Sequence, residues 1–219
     1  MSRRRSGIAG IARTWLVAAA AIMVLGGCGI LPKKEPVTIY APEPVLRADP
    51  SWPRVGWQLV LPRPTASELL DSSRIAVRPA PGEMQVYKAV AWSETAPDLL
   101  YATVLRGFED SGRIIGVSRR GGGIAGDFEL HLDLRRFDAD YVAGGPAAVV
   151  EVGLKLVGTE STRILATHVV KQTATAGSTD TASVAKAFET ALGRATSDIV
   201  GWTLMEGQRH AAGLGTKQR

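Results

Sequence analysis

Few residues of this 219-residue chain are of a type and spacing that could do chemistry. Its single thiol, Cys28, closes the stretch LVAAAAIMVLGGCG, directly behind an apolar run. With no second cysteine it has no disulfide partner. His131 stands between Glu129 and Asp133 at two-residue spacing, which in a strand projects all three from one face and could serve a metal or a general base. A metal needs three or four converging ligands with supporting groups around them, and only His168 offers another imidazole within the expected domain. Cross-strand pairing of opposite charges, including Glu151 and Lys155, accounts for these residues more simply. Ser72 and Ser73 lie in no Gly-x-Ser-x-Gly setting, and neither a histidine nor an acid can be assigned to them. Gly121, Gly122 and Gly123 are followed by no Gly-Lys-Ser/Thr and open no long helix, so they read as a flexible loop or hairpin. The expectation is a non-enzymatic protein with no catalytic residues, metal or cofactor.

Cys28 gains meaning from what precedes it. Arg3, Arg4, Arg5 and Arg13, the apolar segment Trp15 to Leu25, and two glycines have the layout of a secretory signal. Crossing a bilayer takes about 20 apolar residues, and this run is too short. The order Leu25-Gly26-Gly27-Cys28 resembles the lipobox of bacterial lipoproteins, in which the chain is cut before the cysteine and the thiol carries diacylglycerol. That resemblance makes residues 1–27 a signal peptide, Cys28 the lipidation site, and residues 28–36 a lipidated tether. Two or more acyl chains hold a protein stably at a bilayer where one does not. Gly29 follows the cysteine; an aspartate there commonly retains Gram-negative lipoproteins in the inner membrane, so the outer membrane is expected.

Removal of the signal also changes the charge. The chain has 26 Lys+Arg against 21 Asp+Glu, and the four arginines before residue 28 leave 22 against 21. A nearly balanced mature chain gives no reason to expect a nucleic-acid partner.

The elements that must position the remaining residues follow from periodicity. VTIY, GWQLVL, SRIAVRP, MQVYKAVAW and RIIGVSRR read as strands, and TASE as a capping box opening one helical turn between Thr65 and Glu68. TAPDLLYATVLRGFEDSG reads as a helix capped by Thr95, with Pro97 in the first turn and Gly112 at the end. In DFELHLDLRRFDADYV, Phe128, Leu130, Leu132 and Leu134 alternate with Glu129, His131, Asp133 and Arg135, giving a strand with one buried and one wet face. AVVEVGLKLVG and TRILATHVVKQTATA are further strands, and His168 in the latter reads as a structural histidine. A last helix places Val184, Phe188, Leu192, Ala195, Ile199 and Trp202 on one stripe. The expected fold is α+β, a mainly antiparallel sheet with two principal helices on one face, in a single domain over residues 37–207 and a flexible tail over 208–219. Trp52, Trp57 and Trp92 are candidate contact anchors, with core packing favoured for Trp92.

The lipobox, the early VTIY strand, LLDSSRIAVRP, VYKAVAWSETAPDLLYATVLRGFEDSGRI and AFETALGRATSDIVGW together resemble the ABC-type transport auxiliary lipoprotein family. The resemblance implies an accessory subunit of a mammalian-cell-entry (MCE) transport system, beside a permease, an ATPase and a substrate-binding MCE protein. Such systems move phospholipid or another hydrophobic substrate between inner and outer membranes. It also makes a homo-oligomer a candidate state and transfers no catalytic residue. The competing class is an envelope-assembly lipoprotein that activates a peptidoglycan synthase or pilots a secretion pore.

Overall fold

The computed structural model describes residues 36–46 and 48–215. Leu25, Gly26, Gly27, Cys28 and the tether up to residue 35 lie outside them.

The alternating segment forms the central strand, β7 (Phe128–Asp140), and its apolar set faces the core: Phe128, Leu130, Leu132 and Leu134 are buried. Antiparallel hairpins follow it. β8 (Ala147–Gly158) pairs with β7 along its length, and β9 (Arg163–Thr175) pairs with β8. The other edge of β7 is completed piecewise by three earlier strands running parallel to it. β2 (Val55–Leu61) meets it at Phe128, β3 (Thr65–Ala66) at Asp133, and β4 (Arg74–Arg78) at Asp138 to Asp140. β6 (Ile114–Arg119) extends the sheet beyond β2 in parallel. β5 (Gln85–Trp92) pairs antiparallel with β4, and β1 (Thr38–Tyr40) pairs parallel with β5.

The sheet is therefore mixed, which corrects the expectation of a mainly antiparallel one. Helix α1 (Ala96–Ser111) lies in the chain between the parallel neighbours β2 and β6, and parallel neighbours require such a crossover. The capping-box reading of Thr65 is also replaced. Thr65 pairs with Asp133 as part of β3, its hydroxyl donates to the Leu132 carbonyl at 3.4 Å, and the chain turns only afterwards, with Leu70 and Asp71 N–H groups donating to Ser67.

α1 begins and ends at the expected residues. The Asp98 N–H donates to the Thr95 hydroxyl, and Gly112 adopts a left-handed φ of 58°. Its Leu100, Val104 and Phe108 are fully buried. Helix α2 (Thr181–Gly215) packs on β8 and β9 and against α1. Val184, Phe188, Leu192, Ala195 and Ile199 are buried, and Trp202 is partly so. α2 continues to Gly215, so residues 208–215, expected as tail, are helical; Glu206 and Arg209 form an ion pair at 2.9 Å on that last stretch.

Glycines set how closely the remaining chain approaches the helices. A Cβ on Gly201 would stand 2.5 Å from Trp52 Nε1, and one on Gly207 would clash with the Trp57 ring. Gly107 likewise admits Thr196 of the neighbouring helix, where a Cβ would be 2.7 Å away. Trp52, Trp57 and Trp92 are all buried, which removes them as contact anchors. Trp57 meets Phe128 edge-on at 5.1 Å, and Trp92 joins Phe137 and Phe188 in an aromatic cluster.

Candidate functional site

With the helices on one side, the opposite face of β7, β8 and β9 carries the polar residues. Register places His131 beside Lys155 and Lys155 beside Thr167, while Asp133 lies beside Gly153 and Gly153 beside Val169. These side chains line a groove of about 620 Å³ that also reaches Arg63, Thr65 and Arg135.

The charges in the groove largely satisfy one another. His131 Nε2 lies 2.9 Å from Glu129 Oε2, and Glu129 also accepts from Arg120. Asp133 does not join that group: it accepts from Arg135 Nε at 3.1 Å. The Arg135 guanidinium then spreads over Gly153, where an added Cβ would be 2.7 Å from its outer nitrogen. A bulge at this point makes room, since Leu134 pairs with Val152 and Arg136 with Glu151, leaving Arg135 unmatched. Glu151 pairs with Lys171 on β9 at 3.4 Å rather than with Lys155, four residues along its own strand. Lys155 has no ion-pair partner among the described residues.

Two further ion clusters flank the groove. Arg63 donates to Asp98 Oδ1 at 2.6 Å and to Asp71 Oδ1 at 2.7 Å, and reaches the Thr95 hydroxyl, so it ties the β2–β3 connection to the start of α1. Hydrogen bonds from Arg63 hold both carboxyls below their usual range and, reciprocally, raise the guanidinium further. Beyond the bulge, Asp138 is buried and accepts from Arg136 at 2.6 and 3.0 Å, with Arg78 Nε 3.4 Å away. Arg136 also donates to Asp140 at 2.6 Å. Sequence reasoning did not find this second cluster; its signal was a second period-two set, Arg136, Asp138 and Asp140, displaced by one residue from the first.

His168 belongs to the helix face. It stacks on Trp202 at 5.6 Å between ring centres, although it also borders the groove. Among the described residues no three His, Cys, Asp or Glu side chains could hold a metal ion, and no helix is long and apolar enough to cross a membrane. Ser72 is used locally: its hydroxyl accepts from the Arg74 N–H at 3.1 Å. The glycine-rich connection joins β6 to β7 across β2, which lies between them, rather than closing a hairpin. Gly126 crosses so closely that a Cβ would be 3.0 Å from Val60 N, and the Asp127 carboxylate accepts from the Gln58 N–H at 2.8 Å. The face is therefore a polar surface on which most ions are paired and Lys155 is not.

Residues 38–200 match the family model described as the ABC-type transport auxiliary lipoprotein component. Among solved structures, protein XCC0632 from Xanthomonas campestris is 44% identical with a TM-score of 0.78, over 80% of this chain and 99% of that one. A crystal structure of an uncharacterized protein shares the fold at 11% identity and a TM-score of 0.60, over 76% of this chain and 97% of that one. No curated protein matches the chain.

Proposed function

We propose, because this chain belongs to the family of ABC-type transport auxiliary lipoprotein components, that it is a lipid-anchored accessory subunit of an MCE-type transport system. It works without catalysis beside a permease, an ATPase and an MCE protein as they move phospholipid or another hydrophobic substrate between the two membranes. Acyl groups on Cys28 hold it at the periplasmic face of the outer membrane, and the tether of residues 28–36 keeps the domain near that surface. The family match over residues 38–200 carries this reading.

The packing favours scaffolding over carrying. A lipid carrier needs a concave apolar pocket of its own. Here the apolar stripes of α1 and α2 are spent on the sheet and on each other, and the groove on the opposite face, although Leu132, Leu154 and Val169 also line it, carries the charged or polar side chains of Arg135, Lys155, His131 and Asp133.

The test is chemical crosslinking of the tagged, lipidated protein in intact cells, purification in mild detergent and identification of the captured proteins by mass spectrometry. Recovery of an MCE protein with its permease is expected. Reproducible recovery of a peptidoglycan synthase or a secretin with no transport subunit would replace this reading by the envelope-assembly one.

A further inference from the structure

Among the described residues four strands pair on one side only, and they are unequal; β3 is two residues long. β1 is three residues long and β6 six, short enough to template little pairing. β9 runs for 13 residues, roughly 40 Å at about 3.3 Å per residue, and among the described residues it pairs only with β8. Folded proteins normally blunt such an edge with lysine and other charges, proline, bulges or a covering element, and of these β9 has Arg163 and Lys171. β9 contains no proline, and its one irregularity, at Leu165, lies near its start. Its outer side is met only toward the far end, where Arg194 donates to the Thr173 carbonyl at 3.4 Å and Gln172 pairs with Asp198. Ile164 and Val169 stand exposed beside the open part, at 58% and 46%.

The charges on the strand itself have one sign, although Lys171 already pairs with Glu151 of β8 and Asp198 of α2 meets Gln172. β9 carries Arg163, His168 and Lys171 and no acid. Lys155, the unpaired cation of the groove, is in register with Thr167, so the next strand outward would lie about 10 Å from it, two strand spacings away. That is within the combined reach of a lysine and a glutamate. We propose that β9 is a docking edge for an extended, acidic segment of a partner protein, which adds as a strand alongside residues 163–171 and directs acidic side chains toward Lys155. Backbone hydrogen bonds along the edge supply affinity and the alternate side chains supply selectivity. A second copy of β9 is a poorer occupant, because it would bring the same three basic side chains and no acid to meet them.

This inference rests on the accessory-subunit reading for the identity of the partner, but not for the existence of the edge. Its test places a benzophenone amino acid at Thr167, with Lys186 on the far helix as control, in the membrane-anchored protein, followed by irradiation of intact cells. The expected result is a Thr167 adduct mapping to a partner segment with acids at alternate positions. Its yield should fall roughly fivefold in Lys155→Glu and persist in Lys155→Arg. No Thr167 adduct, an adduct only with a second copy or with lipid, or a yield indifferent to Lys155→Glu would overturn the inference, whichever subunits the whole-protein crosslinking recovers. A Lys155-sensitive adduct on an acidic strand of a peptidoglycan synthase would uphold the edge and remove the transport reading.

Discussion

Gly207 matters for the atoms it lacks. Its missing Cβ leaves room for Trp57, which in turn carries Phe128 at the start of β7. Gly207→Ala should destabilise the domain by about 1–3 kcal/mol by overpacking, although alanine favours a helix by nearly 1 kcal/mol. Gly56→Ala, where a Cβ meets nothing within 4 Å, should be close to neutral; urea titration of both variants separates the two effects. The Arg63 cluster makes a pH prediction. Asp71 and Asp98 have folded-state values below those of the unfolded chain, so their contribution is present above about pH 4 and lost as pH falls through the folded values. Arg63→Met should therefore flatten the loss of stability below about pH 4, measured by denaturation at a series of pH values. The charged face was legible because a strand alternates with period two. The glycine notches were not, because a glycine within a helical pattern does not say which distant side chain will occupy its space.

The same limit operates on whole elements. Alternation reports which face of a strand is buried but is identical for parallel and antiparallel neighbours. The strands were therefore recognised while the mixed pairing on β7 was not. α1 was readable to the residue because Thr95, Pro97 and Gly112 are local signals with local causes. α2 was readable in its stripe but not in its length: Gly207 interrupts the apolar pattern, yet Trp57 packs there and the helix continues. Phe188 is the residue through which α2 holds the sheet, with its ring 5.0 Å from Trp92 and 4.8 Å from Phe137. Phe188→Ala should cost about 3–5 kcal/mol, enough to unfold much of a marginal domain. Thermal or urea unfolding would detect it, and Phe188→Leu should recover more than half of the loss.

For the molecule in its envelope, the proposed anchor makes a simple demand. Cys28→Ala should yield a folded domain that fractionates with soluble periplasmic proteins and should weaken the outer-membrane barrier. A protein that stays with the membranes after this change would remove the anchoring proposal. The polar face and the open β9 edge would then have to find their partners by diffusion instead of along a surface.

The piecewise seam on β7 also orders events in time. β2, β3 and β4 leave the ribosome well before Phe128, yet each has an edge that only β7 completes. The first half of the domain therefore cannot bury its strand edges until the second half exists. A chain built this way stays pliable while it is being made and closes late, around a single strand. If the proposed export signal is used, such a schedule suits a polypeptide that is threaded, still unfolded, through a narrow passage before it reaches its place of work.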